Sequence, residues 1–150
     1  MVIDRKGLRA ALSDRLKDQV TGVAFFSPTF MDFEQVPQKP ALTLAMDSEV
    51  PTNRPGLPTV WELNLVATFH VQTGAGGETT DDLISDLLGE LETALLRQST
   101  EVSQYAHTTL GGLVTAAYIS GPVEYLAAGR EGQTVVEIPV TIETLIGSST

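Results

Sequence analysis

The sequence predicts a single α+β domain, a mainly antiparallel sheet carrying two helices on one face. Three observations carry this expectation. Two leucine-rich segments, near the start and the middle of the chain, repeat apolar residues at three- and four-residue spacing, the period of an amphipathic helix. Two long segments, 60–72 and 134–145, alternate apolar residues at period two, as half-buried strands do. The order runs helix, strands, helix, strands, with strand neighbours close in sequence and no linker between them, which favours layered α+β packing. At 150 residues and 42% hydrophobic content, the chain fits one core.

Residues 4–19 read as the first helix. Asp4 is its expected N-cap, Ile3 and Leu8 make a hydrophobic staple, and Leu8, Ala11, Leu12 and Leu16 form its buried stripe. Residues 20–27 and 41–46 are strand candidates, separated by Pro28, Pro37 and Pro40, which enforce irregular or extended backbone. The proline-rich stretch 47–58 reads as a stiff projecting loop. In the strand at 60–72, Trp61, Leu63, Leu65, Ala67, Phe69 and Val71 face one way, and a mixed set that includes Glu62, Asn64 and His70 faces the other. Such a mixed face suggests partial cover or a subunit contact.

A Gly74-Ala75-Gly76-Gly77 break leads to a second helix, to about residue 98. Thr79 and Asp82 resemble a capping box, and Leu83, Ile84, Leu87, Leu88, Leu91 and Leu95 supply the core stripe. Opposite that stripe, Ser85, Gly89 and Thr93 recur every four residues. They read either as an exposed face or as a small-residue groove for a neighbouring subunit. Residues 101–112 form a polar connector, 113–120 a further strand, and 129–132 a hairpin tip after Tyr125 and Leu126. In the last strand Val136, Ile138, Val140 and Ile142 face one way and Val135, Glu137, Thr141 and Glu143 the other, and Pro139 must sit where its nitrogen meets no partner strand. Residues 146–150 are expected to fray.

Chemistry-bearing patterns are sparse. There are no cysteines, which excludes thiolate metal sites, disulfides and cysteine nucleophiles. His70 and His107 begin no metal-ligand spacing and read as solvated or interface histidines. The glycine turn at 74–77 lacks a phosphate-loop ending, and Glu78, Asp81 and Asp82 would repel an anion there. Serines lie in no nucleophile elbow. The expectation is a protein that is not an enzyme, with no cofactor and no metal. A net charge of −10 argues against nucleic acid as a main partner. The basic set Arg5, Lys6, Arg9, Arg15 and Lys17, interleaved with Asp4, Asp14 and Asp18, reads as a solvated helix face. No apolar run is long enough for a membrane span, and the start has no apolar stretch of the kind a secretory signal needs.

The layout resembles that of the tail terminator proteins of long-tailed bacteriophages, the minor tail protein U type, and related small tail-completion proteins. The likeness rests on the first helix, the strand Pro40-Ala41-Leu42-Thr43-Leu44, the proline-rich loop and the Trp-x-Leu-x-Leu-Val run at 61–66. It continues through the leucine-rich helix opened by Asp81 and Asp82, the Leu110-Gly111-Gly112 turn and the long terminal strand. The resemblance implies a homo-oligomeric, six-membered ring that caps the tail tube, halts its polymerisation and presents a surface to head-completion proteins. Its place would be the virion tail, after assembly in the host cytoplasm. The family brings no catalytic residues. The residues expected at partner interfaces are Asp47, Glu49 and Arg54 of the loop and Ser85, Gly89 and Thr93 of the second helix. Alternatives are another neck, connector or baseplate component, or a small-molecule-binding α+β domain with its pocket between sheet and helices.

Overall fold

A computed structural model describes residues 3–72, 80–99, 101, 106–127 and 132–146. The elements are α1 (Arg5–Gln19), β1 (Phe25–Ser27), β2 (Ala41–Thr52), β3 (Thr59–Gln72), α2 (Thr80–Ala94), β4 (Ala116–Ile119), β5 (Glu124–Ala127) and β6 (Gln133–Ile146).

The first helix forms as its sequence predicts. The Asp4 carboxylate accepts from the Gly7 amide at 3.0 Å, satisfying one of the orphan donors of the first turn. Ile3 and Leu8 are both buried, and Leu8, Leu12 and Leu16 enter the core. Burying each leucine contributes roughly 1.5–3 kcal/mol, several times what local helix propensity supplies. The helix therefore depends on its apolar face for stability.

The sheet has six strands in the order β1-β2-β3-β6-β4, with β5 pairing β6 beside β4. β3 and β6 form its centre, paired antiparallel over their whole length, Thr59 opposite Ile146 and Gln72 opposite Gln133. The alternation is reproduced in burial: Leu63, Leu65, Ala67, Phe69 and Val71 of β3 pack with Val136, Ile138, Val140 and Ile142 of β6. Leucines of both helices join the same core.

Several expectations need correcting. β1 pairs β2 in parallel, so the sheet is mixed. The sheet is also curled, and the helices are not both laid on one face of it; α2 packs against α1 and against β3. The first strand is shorter than the segment 20–27, and α2 ends at Ala94 rather than near 98. There the Leu95 amide is shared between the Leu91 and Glu92 carbonyls, and the Arg97 amide turns to the Ala106 carbonyl at 2.8 Å. Ile146 closes β6 instead of belonging to a frayed end. Thr79, the glycines at 74–77 and residues 129–131 of the expected hairpin tip lie outside the described residues.

The largest correction concerns the stretch 47–58. Residues up to Thr52 continue β2, which pairs β3 out to Thr52 opposite Val60. Only the tip, 53–58, is a turn. The Leu57 amide donates to the Arg54 carbonyl there, and Gly56 takes a φ of +76°, a conformation that favours glycine. The projecting feature is thus a paired arm of β2, β3 and the end of β6. Pro139 behaves as expected. Its carbonyl accepts from Ser120 just beyond β4, so its nitrogen faces that same side, in the gap between the segments of β6 paired by β4 and β5.

Candidate interaction surfaces

Pleating sorts the side chains of the sheet into an inner face, which makes the core, and an outer face turned away from it. At one end the outer face is covered. The segment 28–39 crosses it, and Ala41, Thr43, Thr68 and His70 beneath are all buried. His70 stands between the rings of Phe30 and Phe33, at centroid distances of 6.3 and 6.0 Å. Its Nε2 meets the Thr43 hydroxyl at 3.3 Å, while Nδ1 has no hydrogen-bond partner among the described residues. Burial, with help from Lys39, pushes the imidazole below its usual pKa against an opposing pull from Asp32. The expected solvated histidine is therefore a buried one. It lines a cleft of about 400 Å³ together with Phe30, Phe33, Met46, Val66 and Glu137.

Beyond this cover the outer face is partly exposed: Ser48 and Glu124 are exposed, Glu62, Asn64, Glu137 and Glu143 are half-buried, and Thr141 is buried. Ser48, Asn64 and Thr141 form a polar row across three strands: the Asn64 amide donates to Ser48 at 3.1 Å and the Thr141 hydroxyl donates to Asn64 at 2.6 Å. Glutamates oppose each other on both sides of this row, Glu62 across from Glu143 and Glu124 across from Glu137. Tyr118 donates to Glu143 at 3.3 Å. Burial first, and then the charges of Glu143 and Glu62, raise its pKa. Towards the tip the polar character gives way to Val50, Leu57 and Leu145, each about half exposed (44%, 54% and 50%).

The expected interface residues of the loop are divided by a β-bulge. The register of β2 against β3 shifts between Met46 and Ser48, leaving Asp47 as the extra residue. Leu42 and Leu44 point inward before the bulge; after it the phase reverses, so Glu49 points inward and Val50 outward. Glu49 is accordingly spent within the protomer, accepting from Arg5 Nε at 2.7 Å, and the Arg5 guanidinium lies 5.3 Å over the Trp61 ring. Asp47 and Arg54 remain exposed, Asp47 at the bulge and Arg54 at the tip.

On α2, Ser85, Gly89 and Thr93 all face outward. Thr93 donates its hydroxyl back to the Gly89 carbonyl at 2.8 Å, and a Cβ built on Gly89 would meet nothing within 4 Å. The protomer itself leaves this stripe open. Acidic Asp81, Asp82, Asp86 and Glu92 flank it.

Sequence reasoning passed over one buried charge. Glu101, in the connector after α2, is 7% exposed and accepts hydrogen bonds from the Gln98 amide, the Thr108 hydroxyl, and both the hydroxyl and the amide of Thr109. Arg15 of α1 reaches the same carboxylate at 3.4 Å and donates to Thr108 at 2.6 Å. Burial alone would raise the carboxyl pKa. The bonds from the Thr109 hydroxyl, the Gln98 amide, the Thr108 hydroxyl and the Thr109 amide together outweigh it and bring the pKa down to about 2. The cluster ties α1 to the turn Leu110-Gly111-Gly112, whose three residues all have positive φ. Its position and complete hydrogen bonding mark it as structural.

His107 is exposed and stacks on Tyr118 at 5.5 Å. No group of three or more metal-ligating side chains occurs among the described residues, and no described helix is long and apolar enough to cross a membrane. No family model matches the sequence, and no curated protein matches it, so the likeness to tail terminators rests on the residues that carry it.

Proposed function

We propose that the chain is a structural subunit of a long-tailed phage tail. In this reading it is a terminator that assembles as a ring of copies, caps the tail tube, stops its growth and offers a joining surface to the head. The observation that carries it is the arm. β1 covers only Ala41–Thr43 of β2, so from Ala45 to Thr52 the outer edge of β2 has no strand partner among the described residues. β4 reaches only Glu143, so the end of β6 is open in the same way. An arm with two open edges and apolar Val50, Leu57 and Leu145 near its tip suits pairing with another protein surface, by strand addition or by burial of the tip. Its many paired residues keep the ordering cost of docking small.

The test is to add the protein to polymerising tail-tube subunits and measure tube lengths by electron microscopy. Capped tubes should be short and fail to extend when fresh subunits are supplied. Tubes that grow to the same length with and without the protein overturn the proposal.

One observation favours a small-molecule-binding domain instead: the cleft beside His70, with two phenylalanines and an unpaired imidazole nitrogen. It lies on the outer face of the sheet, away from the helices. A thermal-shift screen that raises the melting temperature with a metabolite, and loses the effect in a His70→Ala variant, would select that reading.

A further inference from the structure

We propose that the glutamate-bearing outer face of the sheet, half-buried at Glu62, Glu137 and Glu143 and exposed at Glu124, docks against the basic stripe of α1 on a second copy of this chain. The proposal rests on the reading that copies assemble with one another, and adds which surfaces meet. It begins from an arrangement that the isolated protomer does not explain. Like charges placed directly opposite on neighbouring strands destabilise a sheet, yet Glu62 faces Glu143 and Glu124 faces Glu137. No ion pair reaches any of these four carboxylates among the described residues.

The complementary surface is on the same chain. Of the nine Lys and Arg residues, Arg5, Lys6, Arg9, Arg15 and Lys17 lie on α1. Two are engaged internally, Arg5 with Glu49 and Arg15 with Glu101. Lys6, Arg9 and Lys17 are exposed, recur at helical spacing on one stripe, and line a shallow groove of about 410 Å³ against Phe26 and Pro28, where the three cations outnumber the one acid, Asp14. The stripe and the glutamate face lie on opposite sides of the sheet: α1 packs its leucines on the inner face, whereas the glutamates alternate with the core residues and point outward. A protomer cannot bring its own two surfaces together, but a neighbour can. The contact joins unlike patches, so each copy keeps one of each free for the next, the geometry of a ring or a filament. Charge also decides against α2 as the occupant, because its outer stripe is flanked by Asp81, Asp82, Asp86 and Glu92 and would meet the glutamates with repulsion.

A charge exchange tests this. One variant carries Lys6→Glu, Arg9→Glu and Lys17→Glu; the other carries Glu62→Lys, Glu124→Lys, Glu137→Lys and Glu143→Lys. Light scattering and sedimentation should show the wild type assembling, each variant alone assembling at least tenfold more weakly, and an equimolar mixture regaining assembly because each bears the other's complement. A gentler variant, Glu62→Lys with Glu137→Lys, turns both like-charged pairs into opposite-charged ones. It should keep the fold by circular dichroism while weakening assembly. Wild-type assembly of either variant alone, failure of the folded mixture to recover, or a wild type that stays monomeric overturns the proposal. Tube capping is scored separately. A wild type that caps tubes while the variants assemble unchanged refutes these surfaces alone, and one that obeys the charge exchange but ignores tubes refutes the terminator reading alone.

Discussion

Replacing Glu101 with glutamine should destabilise the fold in a pH-dependent way, and the structure sets the size. The carboxyl pKa drops from 4.5 to about 2 on folding. At about 1.36 kcal/mol per unit, the ionised form contributes roughly 3 kcal/mol at neutral pH. A folded pKa below the unfolded one makes this contribution fully present above about pH 4.5 and lost as pH falls towards 2. By pH 3 roughly 1 kcal/mol should remain. The side chain is 1% exposed, so solvent screening takes little of this away. Glu101→Gln keeps the shape but removes the charge that Arg15 and the donors on Gln98, Thr108 and Thr109 share.

The assay is urea unfolding of wild type and variant, followed by circular dichroism at pH 7, 4.5 and 3. Taking the difference between the two proteins cancels the titration of the other acidic residues. That difference should be largest at pH 7 and should shrink at pH 3. A difference that stays constant with pH would mean that glutamine disturbs packing rather than charge. No difference at pH 7 would mean that the hydrogen bonds merely repay the cost of burial, and the reasoning would fail.

Other consequences can be checked with the same preparations. Leu87→Ala, at a side chain 1% exposed, should cost roughly 2–5 kcal/mol, whereas Gly89→Leu should leave the melting temperature of the protomer nearly unchanged. Unfolding caused by Gly89→Leu would show that face to be core. The His70 imidazole should remain neutral in the folded protein at pH values where an ordinary histidine is charged, read from its ring-proton NMR shifts. Its lowered folded pKa also means that stability falls as pH drops below about 6.5, because the unfolded chain takes up the proton first. Arg54→Glu should leave the fold intact by circular dichroism and change only partner binding. Glu49→Lys should in addition perturb the Trp61 fluorescence, because it displaces Arg5 from the ring.

What was legible in the sequence was whatever local spacing dictates. Asp4, the leucines of α1 and α2, and the alternation of β3 and β6 each report through neighbours within a few positions, and the structure places them accordingly. The extension of β2 was not legible, because Pro51 and the charges at 47, 49 and 54 signal a loop when read locally. Pairing with β3 overrides that signal. Proline is tolerated on a strand whose outer edge is open, and among the described residues that edge of β2 has no strand partner beyond Thr43. Glu101 was hidden for the opposite reason. Its partners at Arg15, Thr108 and Thr109 are brought together by tertiary packing, and no spacing in the sequence announces them. The burial of His70 is equally invisible locally, because the residues that cover it, Phe30 and Phe33, lie some forty positions upstream in an irregular segment.

The bulge at Asp47 sets which side chains of the arm meet α1 and which are left outside. Before it, β2 gives Leu42 and Leu44 to the core and Thr43 to the covered outer face. A strand continuing in that phase would turn Val50 inward, towards Arg5 and Trp61, and Glu49 outward beside the other glutamates. One inserted residue reverses both. Glu49 finds Arg5, fixing the root of the arm to α1, and Val50 comes out onto a face where no core exists to receive it. Stability of the protomer accounts for the first placement. It gives no reason for the second, nor for the opposed glutamates on the neighbouring strands, nor for the open edge of β2. These features lie on the outer face and the edge of the sheet, turned away from the core, and a protein surface docked there would relieve each of them: apolar groups buried, carboxylates paired, strand edge covered.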